Sequence, residues 1–296
     1  QASIFDSGVS RQSPPLESNF TCISQAKFAP EQAAFISLMM RPGQPPFVMN
    51  GTTVLPAKFC PCRNVLTAGA IVYHYGNEEA VGNGIRRSGI DRKELFLVTK
   101  VNFKSYDHTR ETVEQSMRLL GTDYLDLVLL YWTFADYYRA WRELEALYRS
   151  GAVRAIGVSN FEPDRLVDLI TYNEVKPAVD QIETHLYCQR QTEHAWEEKY
   201  GVAHMAYAPL GQGKANEMFA EPVVRDIAAK YGKSPAQVLL RRTIQDGVTV
   251  IPKSVHEACI RENLDVFDFC LTAEEMDALR ALDKAASMLG PAFTTS

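Results

Sequence analysis

From residue 70 onward, short apolar runs rich in β-branched residues alternate with amphipathic stretches of helical period, and this alternation restricts the fold more than any other feature. Leu95 to Thr99, Leu125 to Tyr131, Val153 to Ser159, Ala178 to Glu183, His204 to Ala208 and Val248 to Ile251 read as buried strands, with Ala70 to Tyr73 a weaker seventh. Between them Asn77 to Arg87, Arg110 to Leu120, Tyr138 to Arg149, Pro163 to Thr171 and Pro222 to Tyr231 read as helices. Ser234-Pro235 opens a further helix through Ile244, Gly151 sits where a C-terminal cap is expected, and Thr272 with Glu275 forms a capping box. Connections this short imply parallel strands joined by right-handed crossovers. An open doubly wound sheet would carry G-x-G-x-x-G after its first strand, and no such motif occurs. The expected fold class is therefore α/β, a single-domain (β/α)8 TIM barrel, for which 296 residues suffice.

The first 70 residues are laid out differently. They hold 8 of the 67 charged residues and 8 of the 15 prolines. Residues 1–69 are expected to form an atypical proline-rich segment that hides the eighth strand or covers the barrel, with a possible helix from Pro30 to about Met40. Residues 70–296 then make the barrel body and C-terminal tail. The net charge of −5, without a basic run, argues against a nucleic-acid partner. No stretch reaches the roughly 18 apolar residues of a membrane helix. The six scattered cysteines read as reduced thiols, with no zinc spacing around Cys60 and Cys62. Two glycosylation sequons, at Asn19 and Asn50, and the start at Gln1 point weakly outward. With no signal peptide in the sequence, a cytoplasmic monomer is expected.

Active sites of this barrel lie at the carboxyl ends of the strands. Reading those positions in order gives Tyr75, Lys100, Tyr131, Ser159-Asn160, Gln181 with Glu183, Tyr207 and Lys253-Ser254. Core-filling strands alone would place aliphatic or loop residues there. Around these residues stand Tyr75-Gly76-Asn77-Glu78-Glu79-Ala80-Val81-Gly82, Val153-Arg154-Ala155-Ile156-Gly157-Val158-Ser159-Asn160-Phe161, Gln181-Ile182-Glu183-Thr184-His185, Ala206-Tyr207-Ala208-Pro209-Leu210-Gly211-Gln212-Gly213 and Ile251-Pro252-Lys253-Ser254. With Glu94 to Lys100 and Glu262-Asn263-Leu264, they resemble the aldo-keto reductase family in order from about residue 70 to 285. Pro209 to Lys214 looks most like the branch of diketogluconate reductases and prostaglandin F synthases.

The resemblance implies hydride transfer from NADP(H) to a small aldehyde or ketone. It makes Tyr75 the proton donor and Lys100 its partner. A phenol of ordinary pKa near 10 is a poor acid at neutral pH unless an ammonium stabilises its phenolate. Ser159, Asn160 and Gln181 match the residues that hold the nicotinamide amide, and Tyr207 the ring that stacks on it. Leu210 and Gln212 fall along the pyrophosphate, Lys253 and Ser254 at the adenosine 2′-phosphate, and Glu262 and Asn263 at the adenine. Cys259 stands where an arginine is usual, which weakens the preference for NADPH.

Two departures fall among the catalytic positions. Ala70 replaces the family aspartate, and Tyr131 stands where the family has histidine. Asp180 also replaces an asparagine, and Phe103 is offered as a substitute for a missing aromatic wall. Three readings stay open. Tyr131 donates to the carbonyl oxygen in place of histidine; or the chain is a cofactor-binding pseudoenzyme or interaction protein on the same barrel; or the first 70 residues supply Lys100 with another carboxylate, Asp6 or Glu17. Asp126 lies too far away, about 16 Å along its strand from Tyr131. His185 reads as structural, and His108, His194 and His204 lack the spacing of a metal site.

Overall fold

The computed structural model describes residues 47–49, 52–54, 68–70, 78–254 and 256–288. Tyr75, the Pro30 to Met40 helix, Asp6 and Glu17 lie outside the described residues. Two short strands, β1 (Phe47–Met49) and β2 (Thr52–Val54), pair antiparallel. The main wall follows as β3 (Ala68–Ala70), β4 (Phe96–Asn102), β5 (Leu127–Tyr131), β6 (Ile156–Ser159), β7 (Val179–Glu183), β8 (Ala203–Tyr207) and β9 (Thr249–Val250). These seven strands are parallel and lie in sequence order, the succession required of a (β/α)8 barrel.

Strand limits differ from the sequence reading where tertiary pairing takes over. β4 runs on to Asn102, so Lys100 lies within the strand rather than just after it. Val153 makes only an isolated bridge to Leu125, and β6 begins at Ile156. The last strand shrinks to two residues, and the weak seventh strand sits at Ala68–Ala70. Helices α1 (Glu78–Ser88), α2 (Thr109–Leu120), α3 (Tyr137–Arg149), α4 (Pro163–Tyr172) and α5 (Gln191–Tyr200) connect successive strands from β3 to β8. Between β8 and β9 run α6 (Ala215–Phe219), α7 (Pro222–Tyr231) and α8 (Pro235–Gln245); α9 (Glu257–Leu264) and α10 (Ala273–Arg280) follow. The Thr272–Glu275 capping box forms as expected, and Ser234 with Gln237 forms a second.

The strands are apolar on both faces because each face meets a different layer. Phe96, Val98, Leu127, Leu129, Val179, Ala203 and Met205 cluster inside the wall. Leu97, Val101, Val128, Leu130 and Val158 pack outward against Val113, Leu120, Trp141 and Leu144 of the helices. At the amino end of the wall, buried Asp126 accepts from the Leu97 backbone N–H at 2.9 Å and pairs with Arg92 at 2.8 Å and Arg154 at 3.2 Å. Both guanidinium groups also stack on Tyr124, at 3.8 and 3.9 Å. Asp126 thus holds the end of the wall opposite the candidate site.

Gly157 lets β5, β6 and β7 approach. A Cβ there would meet the Val179 carbonyl oxygen at 2.6 Å and Leu129 Cδ2 at 2.8 Å, and the backbone contact has no freedom to yield. Gly157→Ala should therefore destabilise the protein by about 1–3 kcal/mol. Urea unfolding checks this, and an unchanged midpoint would show that the wall has slack at this layer.

Candidate active site

Register decides which strand-end side chains meet. In parallel strands, paired residues share a face. Asn102 pairs with Tyr131, Tyr131 with Ser159, Ser159 with Gln181, and Glu183 with Tyr207. Lys100 lies one layer deeper, paired with Leu129, and its side chain reaches the Ser159 layer. Its Nζ donates to Ser159 Oγ at 3.2 Å, while Ser159 Oγ donates its own proton to the Gln181 carbonyl at 2.8 Å. The serine lone pairs are thereby left for the amine and for Asn160 Nδ2, which donates at 3.5 Å. Tyr131 and Tyr207 present their rings to Nζ, with centroids 5.0 and 5.7 Å away.

Lys100 is 6% exposed. Burial lowers its pKa to about 7, and the charge of Asp180 opposes that shift without cancelling it. Asp180 lies on β7 in register with His204. Its own carboxyl is pushed well above the usual range, first by burial and then by Glu197. Desolvation, the larger of the two effects, therefore governs the lysine. Among the described residues no carboxylate forms an ion pair with Lys100.

Beside this amine stands an amide-rich ledge. Asn160 takes a left-handed backbone conformation, φ 62°, and its N–H donates to the Gln181 carbonyl at 3.1 Å. Tyr207 Oη donates to Asn160 Oδ1 at 3.0 Å, and burial raises the pKa of that phenol. Gln181 Nε2 has the Met205 thioether at 3.0 Å as its partner. Sulfur is a weak acceptor, so this amide keeps capacity for a better one. Ser159, Asn160, Gln181 and Tyr207 therefore come together as the sequence suggested, and their chemistry fits a flat carboxamide-bearing ring.

The segment after β8 is strained. Ala208, Gly211, Gln212 and Gly213 all have positive φ, of 51°, 73°, 37° and 102°. For Ala208 and Gln212 such backbone costs energy, and it is tolerated where the surroundings enforce it. Leu210 packs partly buried against the cluster around Met218, while Gln212 is exposed. Beyond β9, Lys253 is exposed and Ser254 Oγ accepts from the His256 N–H at 3.1 Å. Glu262 and Asn263 lie half-buried on α9, whose carboxyl end is tied down by Gln237 Nε2 through the Glu262 and Asp265 carbonyls. Cys259 is exposed and free on the same helix.

Phe103, offered from sequence as an aromatic wall, has partners that were not foreseen, and other features were not foreseen either. Trp132 and Phe134 stack at 5.6 Å, and Phe103 meets Phe134 edge-on at 5.2 Å. Together they build an aromatic corner beside Tyr131, with Tyr106 Oη bonded to the Trp132 carbonyl at 2.7 Å. Glu183 is a clasp: it takes bonds from His185 Nε2 at 3.2 Å, Ser287 Oγ at 2.5 Å and the Met288 N–H at 2.6 Å. Burial alone would raise its pKa, and these donors outweigh burial and hold it low. His185 is fully buried, and its Nδ1 accepts from the Tyr187 N–H at 3.3 Å. His204, with Glu197 Oε2 2.6 Å from Nδ1 and Thr184 Oγ1 2.7 Å from Nε2, is kept neutral by burial, its pKa down to about 3. No group of His, Cys, Asp and Glu suited to a metal occurs among the described residues.

Comparison with known proteins places these features in a wider set. The family model described as the aldo/keto reductase family matches residues 67–284. A 9,11-endoperoxide prostaglandin H2 reductase of Trypanosoma cruzi is 42% identical over 218 residues, covering 72% of this chain and 76% of its own. A glyoxal reductase of Bacillus subtilis is 44% identical over 213 residues, covering 71% and 76%. Among solved structures, a Bombyx mori aldo-keto reductase in complex with NADP superposes with a TM-score of 0.73 at 31% identity, covering 77% of this chain and 82% of that one.

The buried amine predicts a pH dependence of stability. With the folded pKa of Lys100 near 7 and the unfolded value at 10.5, the unfolded chain holds more protons across that window. The destabilisation is full below pH 7 and is relieved as pH rises toward 10.5. Relative to Lys100→Met, the wild type should gain about 1.4 kcal/mol per pH unit there. Parallel denaturation curves at neutral and mildly alkaline pH test this, and a constant difference would contradict it.

Proposed function

Because the chain belongs to the aldo/keto reductase family, we propose that it reduces aldehydes or ketones of small molecules to alcohols with NADPH, using Tyr75 as proton donor and Lys100 as its activator. The observation that carries this reading is the convergence of Lys100, Tyr131, Ser159 and Tyr207 at the carboxyl ends of the wall. The glyoxal reductase and the NADP complex named above support it. Ser159, Asn160 and Gln181 hold the nicotinamide carboxamide, and Tyr207 offers its ring face. Leu210 and Gln212 border the pyrophosphate, Lys253 and Ser254 the 2′-phosphate, and Glu262 and Asn263 the adenine. When bound, the cofactor supplies the hydride.

Protonated Lys100 stabilises negative charge on the Tyr75 oxygen as the proton leaves for the carbonyl. Tyr131, in register with Ser159, orients the carbonyl oxygen through its phenol, a role its place at the strand end supports. The corner of Phe103, Trp132 and Phe134 supplies an apolar wall for the substrate body. Position 70 ends β3 in register with Val98, and an alanine there brings no carboxylate to the lysine. That lack, together with the lowered pKa of Lys100, favours a second reading: a cofactor-binding barrel with little turnover. A monomer acting in the cytoplasm completes the proposal, and light scattering checks the first part.

Nicotinamide oxidation with a panel of aldehydes separates the two readings. Retained NADPH binding without turnover across the panel leaves only the second. If reduction occurs, its rate should fall as pH rises through about 7, because a deprotonated Lys100 cannot stabilise a phenolate. Ala70→Asp should move that midpoint upward and raise single-turnover hydride transfer. Adding Tyr131→His should bring the total gain to about 100-fold. Cys259→Arg should tighten NADPH without tightening NADH, since a guanidinium bonds phosphate bidentately. Equal tightening of both would misplace the 2′-phosphate.

A further inference from the structure

Lys100 has an environment suited to a second chemistry. Its amine lies inside the wall with 6% exposure, against two phenol rings and one hydroxyl. Among the described residues, the elements around it contribute few charges. β5 brings Tyr131, β6 brings Ser159, β8 brings Tyr207, and β3 ends on Ala70. Among the described residues only Asp180 of β7 opposes deprotonation of the amine, and burial drives that carboxyl toward its neutral form. An amine held by a hydroxyl instead of a carboxylate is free to present its lone pair once deprotonated.

We propose that Lys100 is also a nucleophile, adding through Nζ to the carbonyl carbon of an aldehyde at the strand ends and forming a reversible imine. The inference rests on the reading that this site admits carbonyl compounds. A C–N bond forms as the carbonyl π pair moves to oxygen, and a proton passes from nitrogen to that oxygen to give a carbinolamine. The nitrogen lone pair then expels the hydroxyl as water once that oxygen has taken up a proton, and the resulting iminium gives its N–H proton back to the donor, leaving the C=N bond; no oxidant or reductant is consumed. Tyr131, whose ring centroid is 5.0 Å from Nζ, carries a phenol able to lend the proton that the departing hydroxyl needs. Activation of lysine by desolvation in an apolar setting is a general route to such chemistry.

The two uses of the amine divide by protonation state. The ammonium supports the phenolate in reduction, and the free amine captures the carbonyl. Below neutral pH reduction is favoured, and above it the imine competes for the same aldehyde. The lowered pKa places the exchange near pH 7.

The full-length protein treated with propanal and cyanoborohydride tests this, since the reductant fixes an imine as a stable secondary amine. Peptide mapping by mass spectrometry should find the propyl group on Lys100 ahead of exposed lysines such as Lys104 and Lys253. Labelling should rise with a midpoint near pH 7, whereas an exposed amine titrates near 10. Lys100→Arg keeps the positive charge but cannot form an imine, and should lose the early labelling. Reduction of propanal by NADPH is followed in parallel. Labelling confined to exposed lysines while reduction proceeds overturns the inference and leaves the reductase reading standing. Labelling of Lys100 without reduction supports the imine and counts against that reading. Absence of both overturns both.

Discussion

Desolvation of one amine is the constraint from which the site takes its character. Lys100 sits within β4, a strand buried along all seven residues, and the wall around it supplies hydroxyl and phenol groups. In water its ammonium would be the dominant form far above neutrality. Inside the wall the charged form loses hydration that one serine oxygen does not replace, and the pKa falls to about 7. Any chemistry at this strand end therefore depends on what stabilises or removes one proton.

The scaffold tolerates this because its stability is assembled elsewhere. Two apolar layers, one inside the wall and one between wall and helices, bury the large side chains. The charged network of Asp126, Arg92 and Arg154 closes the opposite end. Further buried polar groups lie outside the wall. His204 contacts Glu197 and Thr184, and Asp180 is its paired neighbour on the next strand. Burial drives each of these toward its neutral form. They are compatible with the core because they shed charge, not because they pair fully.

Backbone strain concentrates on the same side as the amine. Trp132, Asn160, Ala208 and Gln212 all have positive φ and immediately follow or lie near strand ends. Such turns redirect the chain sharply, and at Asn160 the consequence is direct: its side chain folds back to accept from Tyr207. The tail is drawn to the same end, since Glu183 binds Ser287 and the Met288 N–H.

The sequence alone determined the class of fold and most of the strand-end residues. Alternating patterns of period two and 3.6 are local, and the requirement that each apolar face be covered leaves few architectures. Helix starts at Pro163 and Pro222 and the Thr272 capping box were legible for the same reason, being short-range chemistry. Resemblance named Ser159, Asn160, Gln181 and Tyr207 as neighbours, and register brought them together. Tertiary structure alone decided that β4 extends through Lys100 to Asn102, because a strand ends where its partner stops pairing, not where its own apolar run stops. It alone decided that Trp132 and Phe134 join Phe103 in an aromatic corner, that Glu183 clasps the tail across more than a hundred residues of chain, and how far burial lowers the pKa of the lysine. Each of these depends on distances between residues remote in sequence, and a proton's affinity for an amine is set by the medium that the whole fold builds around it.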